Sequence, residues 1–139
     1  MMNVATKVIT DVNMWLLSMS RGKIGTHFLG KPVLLLAAVG RKTGQPRTTP
    51  LFYLRDGQNL VLVASGGGRS RHPAWYRNLE ANPEVTVQIG REVRKMSARN
   101  ATGEEVLELW PRLTSMFWVW EKFQDRSVRS FPVVILSPR

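Results

Sequence analysis

The chain contains no cysteine. Disulfides, thiolate metal sites and redox-active thiols are therefore excluded, and the composition fits a reducing compartment. Histidine is nearly as scarce: His27 and His72 are the only two, far apart and without acids at ligand spacing. A protein metal site is not expected from them. Acidic residues number 10 against 20 basic ones. The acids are few and scattered, and the sequence offers no close carboxylate pair, Ser–His–Asp arrangement or Walker loop. Hydrolysis by side-chain machinery is thus unsupported, and an enzyme of this composition would rely on a bound cofactor. No apolar run approaches the ~20 residues of a spanning helix, and the N-terminus lacks the apolar core and cleavage site of a secretory signal. A cytoplasmic location is expected, with peripheral membrane contact left open.

What is present is positive charge, unevenly placed. The formal net charge is +10 over 139 residues, a length suited to one domain with one core. Between Arg41 and Arg77, seven cations face the single acid Asp56. A basic field of this kind implies an anionic partner. Its densest part is Gly40-Arg41-Lys42-Thr43-Gly44-Gln45-Pro46-Arg47, three cations in eight residues on a turn shaped by two glycines and a proline. Such a turn can offer backbone N–H groups and cationic side chains to one small anion. Thr48 carries a hydroxyl straight on from Arg47, and Ser65-Gly66-Gly67-Gly68-Arg69 supplies a second anion-friendly turn. The two turns are expected to face one phosphate-bearing ligand.

Periodicity places these turns. Val4, Val8, Val12, Trp15, Leu16 and Met19 recur at helical steps, predicting an amphipathic helix within residues 1–25. That helix either packs on the core or lies on a membrane surface, with Lys7, Arg21 and Lys23 toward anionic headgroups. Val33–Val39 reads as a buried strand and Thr48–Leu54 as a second, in which Pro50 marks an edge, bulge or ligand-facing position. Asp56-Gly57 predicts a hairpin into a third strand, Leu60–Ser65. A short helix follows over His72–Leu79, with proline at its start and Asn82-Pro83 at its end. Val85–Ile89 and Glu92–Ala98 form a second hairpin. Thr102 and Glu105 make a capping box opening a helix in which Pro111 predicts a kink or break. Val133–Leu136 closes the chain as a strand. About six mainly antiparallel strands with flanking helices make an α+β, barrel-like domain.

Two further groups stand out. Trp75 and Asn78 share the short helix; Trp75 reads as core, and the amide of Asn78 could address a flat heterocycle. Trp110, Phe117, Trp118, Trp120 and Phe123 fall within fourteen residues. They read either as an anchor on the barrel or as the wall of an apolar cleft.

Together, Gly40–Arg47, Pro50–Gly57, Ser65–Gly68, Pro73–Asn82, Trp110-Pro111 and Arg129–Val134 resemble the deazaflavin (coenzyme F420)-dependent nitroreductase-like proteins of actinobacteria. These are split β-barrel flavin and deazaflavin oxidoreductases. The resemblance implies an FMN-binding-like split β-barrel over residues 26–139, with F420 rather than FMN as cofactor, because the acidic tail of F420 suits the basic turn. It implies that Arg41, Lys42, Arg47 and Thr48 hold the phosphate and the start of that tail. Pro50, Leu51, Tyr53, Ser65, Gly66, Gly67, Trp75 and Asn78 would surround the ring. Phe52, Phe117, Trp120 and Phe123 would line the substrate side, and the proton would come from solvent, or from Tyr53 or Ser65. Where familiar nitroreductase members carry tyrosines, this chain has Phe117, Trp120 and Phe123, and Gly66 stands where many relatives have lysine. The implied reaction is hydride transfer from F420H2 to an electron-poor hydrophobic acceptor: a quinone, an α,β-unsaturated lactone or ketone, or a nitro compound.

The residues alone leave open an FMN-dependent split-barrel oxidoreductase, a non-catalytic deazaflavin carrier and a basic membrane-surface module. Nucleic acid is not expected, since the aromatics fall in core patterns and not among the basic residues. Both monomer and homodimer are compatible with the sequence.

Overall fold

The computed structural model describes residues 27–28, 30–66, 71–126 and 130–139. The expected helix and domain boundary at 1–25, Gly67 and the rest of the second turn lie outside them.

The apolar run after Pro32 becomes β2 (Lys31–Val39), preceded by the two-residue β1 (His27–Phe28). β3 (Pro46–Phe52), β4 (Leu54–Asp56) and β5 (Asn59–Val63) follow, then α1 (Ala74–Ala81), β6 (Glu84–Ile89) and β7 (Glu92–Asn100). The chain ends with α2 (Gly103–Met116), α3 (Val119–Arg126) and β8 (Val133–Pro138). All strand pairs are antiparallel, in the order β1-β2-β6-β7-β8-β5-β4, with β3 on the other side of β2. Among the described residues the strands number eight where about six were expected, because β1 and β4 are too short to show an alternating pattern.

The single strand expected over Thr48–Leu54 is divided at Tyr53. β3 is bonded only to β2 and β4 only to β5, yet one residue joins them. The two edges of the curled sheet are therefore consecutive in the chain, which gives the split β-barrel. Pro50 sits opposite Leu35 on this edge strand, where its missing N–H costs no ladder bond on the open side.

Alternation builds two cores on the two faces of the sheet. The inner one gathers Leu34, Leu36, Leu60, Leu62, Val85, Val87, Met96, Val134 and Leu136, closed by Tyr53 and by Trp75, Tyr76 and Leu79 of α1. The outer one gathers Val61, Val63, Val133 and Ile135 under Leu109 and Leu113 of α2 and Trp120 of α3.

The capping box opens α2: Glu105 N–H donates to Thr102 Oγ1 at 3.2 Å, and Thr102 N–H donates to Glu105 Oε1 at 2.9 Å. Arg99 also grips Glu105 through both guanidinium nitrogens, at 2.7 and 2.8 Å. The Arg99 bonds, followed by the Thr102 amide, hold the Glu105 carboxyl down at about 2, from an ordinary 4.5. A carboxylate depressed on folding stabilises the fold above its unfolded value and loses that contribution as pH falls from about 4.5 toward 2. Wild type should therefore be more stable than Glu105→Gln at neutral pH, and the gap should close across that acid window. Parallel melting-temperature profiles would contradict the pairing.

The break expected at Pro111 does not occur; α2 is continuous through it. Proline leaves the carbonyl four residues back without its donor. Here that carbonyl belongs to Leu107, 79% exposed, so solvent can satisfy it. Thr114 Oγ1 also donates to the Trp110 carbonyl at 3.0 Å, supporting the same turn.

Candidate cofactor site

The basic turn joins β2 to β3, and its shape is set by glycine. Gly40 N–H donates to the Gln45 carbonyl at 2.7 Å and Gly44 N–H to the Gly40 carbonyl at 2.8 Å. Gly44 has a φ of 71°, in the left-handed region that favours glycine. A Cβ on Gly40 would lie 3.0 Å from Thr43 Oγ1 and 3.1 Å from the Gln45 carbonyl oxygen, so this close approach also requires glycine.

The turn forms one wall of a cleft of about 380 Å³. Its lining brings Arg41, Lys42, Arg47 and Thr48 together with Trp75 and Asn78 of α1. Gly40, Thr43, Thr49 and Ala74 complete it. Thr49 continues the run of hydroxyls from Thr48, and Ala74 carries no chemical signal of its own.

Three features suit this cleft to an anion. Ion pairs elsewhere join Arg77, Arg94, Arg99, Arg112 and Arg139 to Glu80, Glu92, Glu105, Asp56 and Glu84, while Arg41, Lys42 and Arg47 have no carboxylate partner among the described residues. Thr48 Oγ1 is buried without a hydrogen-bond partner among the described residues, a position that a hydroxyl tolerates poorly unless a ligand completes it. α1 is preceded by Pro73 as its N-cap, with no side-chain cap and no acid in its first turn, and its first residues Ala74 and Trp75 line the cleft. A phosphate-bearing cofactor fits this donor set.

Asn78 is only 5% exposed. Its Oδ1 accepts from Arg41 N–H at 3.0 Å and from Arg41 Nη1 at 3.2 Å. The amide oxygen anticipated for a heterocycle is thus occupied by Arg41.

Strand register locates the remaining residues. Ser65 and Gly66 follow β5 beyond Val63, which pairs with Val133. Through Asn100↔Val134, Glu84↔Ser97 and Ala37↔Thr86 this is the end of the barrel that carries the basic turn. Ser65 is 8% exposed there. Tyr53 lies at the other end of β3, six residues from Arg47 or about 20 Å of extended chain. It is 5% exposed within the inner core. Leu51 leans on the inner core.

Thr48, Pro50 and Phe52 alternate onto the opposite face of β3 from Leu51. Phe52 joins the outer core, its ring 4.8 Å from Phe117, and Phe117 lies 5.2 Å from Trp120. Phe123 packs on the same core, and Trp120 is 4% exposed within it. None of these four lines the cleft; they form an aromatic cluster farther along β3. A smaller hollow of about 230 Å³ lies between α1 and β7. Its polar groups are already paired, Tyr76 with Asn100 and Arg99 with Glu105. Among the described residues no cluster of His, Cys, Asp or Glu could hold a metal.

Comparison with known proteins agrees with this fold. The sequence family described as F420H(2)-dependent quinone reductase matches residues 10–138. A relative from Mycobacterium tuberculosis, named as an F420H(2)-dependent quinone reductase, is 39% identical over 124 residues, covering 86% of this chain and 83% of its own. A solved F420-H2 dependent reductase superposes with a TM-score of 0.71 at 35% identity, over 80% of this chain and 98% of that one. A second solved structure, described as a domain-swapped dimer, gives a TM-score of 0.72 at 32% identity, over 95% of this chain and 98% of that one. With a split β-barrel, a cation-lined cleft at one end of β3 and this extent of similarity, the chain belongs to the F420H(2)-dependent quinone reductase family.

Proposed function

We propose that this chain is an F420H2-dependent reductase whose acceptor is a flat, hydrophobic quinone. The observation that carries the reading is the cleft: three cations without carboxylate partners, a buried hydroxyl without an acceptor and an uncapped helix start converge on one anion-sized space. When bound, reduced F420 supplies the hydride. The protein's part is to hold, orient and exclude water. Arg41, Lys42, Arg47 and Thr48 hold the phosphate end. Pro50 offers an exposed, rigid surface on the same face of β3 as Thr48, and Ser65-Gly66 lie at the end of the barrel that carries the basic turn. Phe52, Phe117 and Phe123, half-buried on the rim of the outer core, give the acceptor an apolar neighbour. Ser65, at the same end of the barrel as the cleft, is favoured over Tyr53 for placing a proton on the reduced acceptor. The dimeric relative supports a homodimer for this chain.

The test is single-turnover oxidation of F420H2 by the purified protein with a soluble quinone. Loss of reduced cofactor that requires both protein and quinone is expected. Oxidation at the same rate with quinone and no protein, or with protein and no acceptor, would defeat the reading.

A further inference from the structure

We propose that Asn78 is a positioning residue that sets Arg41 for the anion and acts through it rather than on the ligand. This rests on the reading of the cleft as the F420 site. Arg41 can only donate, at both its backbone N–H and its guanidinium, so the Asn78 oxygen must be the atom facing it. That single buried oxygen takes both donors, 37 residues away in sequence. The amide bond fixes where the turn crosses α1, and the guanidinium bond fixes the direction of the side chain. Among the described residues, the side chain of Lys42 has no such tether, and that of Arg47 hydrogen-bonds only to Thr43 Oγ1, at 3.5 Å. The cleft therefore holds one preset cation and two that must be ordered when an anion arrives. Presetting reduces the ordering cost of binding. A residue that contacted the ligand directly would contribute whether or not Arg41 was present.

A double-mutant cycle separates the two roles. Wild type, Asn78→Ala, Arg41→Ala and the double variant are titrated with F420 and, separately, with inorganic pyrophosphate, following tryptophan fluorescence. Asn78→Ala should weaken both anions about tenfold in the wild-type background. It should weaken them about twofold or less once Arg41 is removed, whereas its effect should add to that of Lys42→Ala. Amide exchange without ligand gives an independent reading. The Arg41 N–H should exchange faster in Asn78→Ala and stay protected in Asn78→Asp, which keeps the acceptor oxygen and the size of the side chain. Additive losses with Arg41→Ala, or Arg41 exchange unchanged in Asn78→Ala, would overturn the positioning role while leaving the F420 reading intact. Coupling seen with pyrophosphate but no binding of F420 would keep the positioning role and remove the cofactor assignment. Binding of neither anion would remove both.

Discussion

Replacing Trp120 by alanine is expected to cost about 3–5 kcal/mol of folding stability. The indole is 4% exposed, meets the Phe117 ring edge-on at 5.2 Å, and lies in the core beneath α2 and α3 with Leu109, Leu113 and Ile135. Truncation removes a large apolar surface and leaves a cavity that two short helices cannot close. Trp120→Phe should cost less, since it keeps the aromatic edge contact. Denaturant unfolding of the three proteins measures the effect. A change below about 1 kcal/mol together with altered acceptor preference would make Trp120 part of the substrate wall instead of the core.

The second large effect concerns charge. Single alanine replacements of Arg41, Lys42 or Arg47 should each weaken F420 about tenfold, in the range of a charge-assisted contact, with the larger losses at Arg41 and Arg47. Removing all three should bring the loss to about a thousandfold and flatten the salt dependence, because the long-range attraction for a polyanion is gone. These side chains are exposed on the turn and carry no core packing, so folding stability should change little. Kd at two ionic strengths, alongside melting temperature, checks both halves. Unchanged affinity in Arg47→Ala would remove the phosphate assignment for that residue.

Where the sequence was legible, the signal was local. The basic turn announces itself through Gly40, Gly44 and Pro46, whose backbone demands do not depend on the rest of the fold. The capping box at Thr102 and Glu105 is likewise a three-residue spacing with one geometric solution. Residues whose roles depend on distant chain were not legible. Tyr53 looks like one more residue of a strand; its place at the corner joining the two sheet edges follows only from which strands pair. The bond from Arg41 to Asn78 spans 37 residues and has no sequence signature. An aromatic run such as Phe117–Phe123 has the same pattern whether it walls a cleft or fills a core, and only the pairing with Phe52 and Val61 locates it. Pro111 misled because the cost of proline depends on whether the orphaned carbonyl can reach solvent.

The most direct test of the central claim is a paired titration of the purified protein with F420 and with FMN, read through intrinsic tryptophan fluorescence. Trp75 lines the cleft, so a ligand there should quench it. Saturable quenching by F420, with FMN at least about tenfold weaker and the F420 signal lost in the triple cation variant, is the predicted result. Binding of FMN in preference to F420, or F420 quenching indifferent to the three cations, would contradict the account.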